Sequence, residues 1–84
     1  MNKRKLLSQL QNSSTNVKFT DFITMIKAFG FSPIRIAESH NIFEHKDVPE
    51  MVNIQNVKGN AKPYQVKQFL TLINKYNLKQ EGSV

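Results

Sequence analysis

The chain has 84 residues, 39% hydrophobic and 21% charged, which suffices for one small core and is too apolar for a disordered chain. Twelve Lys and Arg against six Asp and Glu give a formal charge of +6, and the lack of cysteine excludes disulfides and thiolate zinc sites as staples. Such a charge favours a polyanionic partner, nucleic acid first, although a basic surface also serves solubility and would equally attract an acidic protein.

Met1-Asn2-Lys3-Arg4-Lys5 has the basic start of a signal peptide, but Leu6-Leu7-Ser8-Gln9-Leu10 is too short and too polar for the apolar segment that should follow. No stretch approaches the roughly 20 apolar residues of a membrane-spanning helix. The expectation is a soluble cytoplasmic protein with a single domain over 1–84. A short helix and connector occupy 1–15, and the core spans 16–78.

Leu6, Leu7 and Leu10 predict a short amphipathic helix over 3–11, ending near Asn12, and the polar cluster Ser13-Ser14-Thr15-Asn16 predicts a connector. Phe22, Met25, Ile26 and Phe29 at i, i+3, i+4 and i+7 predict a helix over 20–29, with Thr20 as N-cap and Gly30 as its left-handed stop. The period then changes to two. Pro33 suits a strand start or edge, and Ile34 and Ile36 alternate with Arg35 and Ala37. A second strand covers 40–45 after a turn at Glu38-Ser39. A loop over 46–50 contains Pro49, and 51–57 forms a third strand with Val52 and Ile54 on one face and Asn53 and Gln55 on the other. Lys58-Gly59-Asn60 closes it. Pro63 opens the last helix, with Val66, Phe69, Leu70, Ile73 and Asn77 along its stripe. The order is helix, three antiparallel strands, helix, preceded by the short helix: a two-layer α+β fold with helices on one face of the sheet.

The two histidines, His40 and His45, have no metal-ligand spacing around them, so no metal site and no cofactor is expected. The three glycines lie too far apart for a phosphate loop, and the acidic residues are scattered singly. Acid–base chemistry near neutral pH would fall to histidine. His40 stands at a strand start beside a tight turn, where a side chain is held yet open to substrate. A histidine so placed is by itself more often a satisfied surface residue. His45 is expected to be a solvent-facing strand-end residue, and Tyr64 at the helix start to pack, with base stacking as the alternative.

The stretch Arg35-Ile36-Ala37-Glu38-Ser39-His40-Asn41-Ile42-Phe43 resembles the signature of the HicA toxin family, an Arg followed by two variable residues and Gly-Ser-His-His-Ile-Phe. Asn16-Val17-Lys18-Phe19, Ala28-Phe29-Gly30-Phe31, Val52-Asn53-Ile54-Gln55 and Ala61-Lys62-Pro63-Tyr64-Gln65-Val66-Lys67-Gln68-Phe69 are similar to further family segments in the same order, so the resemblance spans about 16–78. It implies a double-stranded-RNA-binding-like fold and an endoribonuclease that cleaves mRNA. It also implies inhibition by a HicB-type antitoxin in a hetero-oligomer; the lack of a long apolar segment separately predicts no membrane partner. The family's catalytic histidine corresponds to His40. Glu38 replaces the usual Gly, and Asn41 the second His. Arg35, Lys58 and Lys62 are the candidate phosphate-binding cations. The alternative function is a non-catalytic RNA-binding module of the same fold, which has no need of His40.

Overall fold

The computed structural model describes residues 3–12, 15–37 and 39–80. The elements run α1 (Lys3–Asn12), α2 (Phe19–Ala28), β1 (Ser32–Ala37), β2 (His40–His45), β3 (Val48–Val57), β4 (Asn60–Ala61) and α3 (Pro63–Lys75). The strands form one antiparallel sheet in the order β1-β2-β3-β4, so the fold is α+β with one strand more than expected. The addition arises at Lys58-Gly59. Both residues have positive φ, 52° and 87°, the combination that suits a two-residue hairpin turn. The chain therefore reverses, and Asn60-Ala61 pairs with Val57 and Asn56. β3 also begins earlier than the proline at 49 suggests. Lys46-Asp47 alone form the turn, and Pro49 is tolerated because the β2–β3 register shifts between Phe43 and His45.

Helix ends follow the backbone more than the side chains. Thr20 is not the N-cap of α2 but lies inside the helix, where its carbonyl accepts from Thr24 Oγ1 at 3.0 Å. Lys18 takes the cap position without a side-chain bond, because the hairpin serves instead: Phe19 N–H donates to the Gly59 carbonyl at 2.9 Å, and Lys18 bridges Asn60. Gly30, at φ 92°, ends α2 as expected, with Phe31 N–H donating to the Ile26 carbonyl at 3.3 Å and Gly30 N–H to that of Lys27 at 3.0 Å. α3 closes in the same way. Asn77, expected on the apolar stripe, is its left-handed cap at φ 51°, and Leu78 N–H donates to the Ile73 carbonyl at 2.9 Å.

Phe22, Met25 and Ile26 of α2 and Val66, Phe69 and Ile73 of α3 pack against Phe43, Val52 and Ile54 of the sheet. Phe69 sits at the centre, its ring 5.6, 5.8 and 5.7 Å from those of Phe22, Phe29 and Phe31 in edge-on arrangements. α2 and α3 meet the sheet at β3 and β4, while α1 rests on α2 through the buried Leu10. β1 is therefore an uncovered edge. Ile34 and Ile36 are 44% and 70% exposed, and a register shift between Pro33 and Arg35 interrupts the alternation that the sequence displays there. No helix among the described residues is long and apolar enough to cross a membrane.

Candidate active site

Alternation along β2 sorts its side chains between two environments. Phe43 is buried under the helices, and His45, two residues on, follows it inward at 8% exposure. His40, Ile42 and Glu44 take the opposite parity and face away from the helices. This corrects the expectation for His45. Its ring packs 5.0 Å from that of Phe31, and its Nδ1 accepts a hydrogen bond from Asp47 N–H at 3.0 Å, which stitches the Lys46-Asp47 turn.

Cross-strand pairing builds the open face in rows. His40 is flanked by Ala37 of β1 and Gln55 of β3, and the next row outward is Arg35, Ile42 and Asn53. Diagonal neighbours of this kind are within reach of long side chains. His40 Nδ1 lies 3.3 Å from Asn53 Oδ1. Arg35 thus shares the face of His40, one row away, and is exposed.

Behind His40 a polar network fixes the strand. β4 is only two residues long, so beyond it the edge of β3 lacks a peptide partner, and the buried Gln65 from the first turn of α3 supplies one. Its Oε1 accepts from Gln55 N–H at 2.9 Å. Gln55 Nε2 in turn donates to Ser39 Oγ at 3.4 Å, and Asn56 N–H donates to the Ser39 carbonyl at 3.2 Å. The turn before His40, the strand beside it and the start of α3 are thereby held together. Asn53, Gln55, Ser39 and Gln65 were not singled out from the sequence as site residues, although the polar side of the third strand already grouped Asn53 with Gln55.

The other predicted cations are placed at the same end of the sheet but not beside the imidazole. Lys58 occupies the β3–β4 turn, beyond the end of the strand next to β2, and Lys62 the N-cap of α3, after β4. Among the described residues no carboxylate lies within ion-pair distance of Arg35, Lys58 or Lys62. Tyr64 is 54% exposed, which corrects the packing expectation, and its ring has Lys62 Nζ 5.8 Å from the centroid. Glu38, the departure from the family's glycine, lies outside the described residues.

At the opposite end of β3, Glu50 accepts a hydrogen bond from the Tyr76 hydroxyl and pairs with Lys75 Nζ at 3.1 Å. The Tyr76 hydrogen bond, reinforced by the Lys75 ammonium, holds Glu50 below the usual carboxylate range, and the carboxylate raises both partners. Depressions of about 250, 370 and 400 Å³ lie elsewhere, and His40 lines none of them. The His40 site is an open sheet face, a shape suited to an extended polymer more than to an enclosed small molecule. Comparison with protein-family models, with curated proteins and with solved structures returned no match.

Proposed function

We propose that the chain is an endoribonuclease of the HicA toxin type, with a double-stranded-RNA-binding-like core to which β4 adds a short edge. The observation that carries this reading is the placement of His40: at a strand start, on the uncovered face, hydrogen-bonded through one ring nitrogen and accompanied by Arg35. Cleavage without a metal needs one group to take the ribose 2′-OH proton, an acid for the departing 5′ oxygen, and cations for the charge that builds on phosphorus. His40 performs a proton transfer, Arg35 stabilises the phosphate nearest it, and Lys58 and Lys62 hold the strand further along. Tyr64, exposed beside Lys62, offers a ring on which a base can stack.

The same reading includes a HicB-type antitoxin. Along the uncovered β1 edge Arg35 lies on the face of His40 and the exposed Ile36 on the other face, so an acidic protein that wraps over this edge would meet positive charge on one side and apolar surface on the other while blocking RNA. Purified protein incubated with mRNA tests the chemistry. The expected products end in 2′,3′-cyclic phosphate and 5′-OH; products ending in 5′-phosphate contradict the mechanism, and RNA binding without any cleavage favours the non-catalytic module.

A further inference from the structure

The two histidines make hydrogen bonds of opposite sense through the same ring atom. His45 Nδ1 faces a backbone N–H, that of Asp47 at 3.0 Å, so Nδ1 must be the bare nitrogen and the neutral ring carries its proton on Nε2. His40 Nδ1 faces the side-chain carbonyl oxygen of Asn53 at 3.3 Å, which can only accept. The bond therefore requires a proton on His40 Nδ1 and leaves Nε2 without one. Asn53 is exposed but its backbone is not free to drift: it is paired with Ile42 in the ladder, and the neighbouring Gln55 is bound to Gln65 and Ser39.

We infer that Asn53 is a positioning residue that holds His40 as the Nδ1–H tautomer, so that a bare Nε2 faces the open side of the sheet and acts as the general base. Free imidazole side chains in water favour the other tautomer, so the inferred form is one the protein has to impose. The base assignment, though not the tautomer, rests on the ribonuclease reading. It specifies which of the two proton transfers His40 performs first: Nε2 takes the 2′-OH proton as the oxygen attacks phosphorus, and the P–O5′ bond breaks as the leaving oxygen receives a proton from another donor or from water.

Protein labelled with ¹⁵N-histidine, observed at alkaline pH where the rings are neutral, tests this directly. The expected spectrum contains two rings of opposite pattern, His40 with a proton-bearing Nδ1 and His45 with a proton-bearing Nε2. In Asn53→Ala, His40 goes over to the Nε2–H form while His45 stays unchanged as the internal standard. kcat falls about 10- to 100-fold with little change in KM, a loss of the size seen when an orienting partner of a functional imidazole is removed. Asn53→Asp, whose carboxylate still accepts, keeps the Nδ1–H form. It moves the acid limb of the pH–rate profile upward, because the negative charge favours imidazolium. An Nε2–H pattern for His40 in the parent, or an unaltered pattern in Asn53→Ala, overturns the inference. If the tautomers behave as expected and His40→Ala cleaves RNA as fast as the parent, the base assignment falls with the ribonuclease reading and the positioning of the ring stands.

Discussion

His40 and His45 stand five residues apart on one strand, and an odd spacing sends them to opposite faces of the sheet. His45 is consequently part of the structure and no neutral control for a catalytic test. Removing its imidazole leaves a gap against Phe31 and takes away the acceptor of Asp47 N–H, so His45→Ala should lower stability by about 1–3 kcal/mol. Urea unfolding checks this, and a midpoint equal to that of the parent would contradict the buried role. The parity was legible in the sequence, since Phe43 is the obvious core residue of the strand and His45 follows it at period two. The partnership of His40 with Asn53 was not. It depends on register, and the register reflects the tight Lys46-Asp47 turn together with the shift that accommodates Pro49, neither of which alternation reveals.

At the scale of elements, the helices and the central strands were readable from apolar spacing, because Phe22, Ile26, Phe69, Val52 and Ile54 are the residues that fill the core. β1 displays the same alternation without burial, since cover comes from α2 and α3 on the far side of the sheet, a tertiary fact with no local signal. β4 was missed for a related reason: Lys58 is a poor residue for positive φ, so its turn did not announce a hairpin. Left-handed backbone costs an ordinary side chain about 1–2 kcal/mol, much of which asparagine avoids. Lys58→Asn should therefore raise stability by about 0.5–1 kcal/mol through a favoured Asn-Gly turn, while weakening RNA binding by removing a cation. Thermal unfolding and an RNA titration on the same variant separate the two effects. Stability gained with RNA affinity unchanged would remove Lys58 from the interface.

For the molecule as a whole, acid is the weak side. Protonating carboxylates raises a charge that already stands at +6 and dissolves the Glu50 tether between β3 and the end of α3. Because Glu50 is held below its ordinary range, its contribution is fully present above that range and is lost as pH falls through the lowered value. The difference in urea midpoint between the parent and Glu50→Gln should accordingly be present at neutral pH and vanish in strong acid; a gap that persists unchanged would mean that the carboxylate charge is not what the tether uses. On the proposed reading, the basic charge, the open sheet face and the hydrogen-bonded His40 are the features by which the domain would draw in RNA and cut it at one imidazole. The measurement that bears most directly on this is RNA cleavage and RNA binding by His40→Ala beside the parent. A general acid–base group typically contributes about 10² to 10⁴ in rate, and a surface truncation costs little stability, so the variant should fold and bind RNA as the parent does while its cleavage falls by that factor. A folded His40→Ala that cleaves RNA at the parent's rate would contradict the assignment.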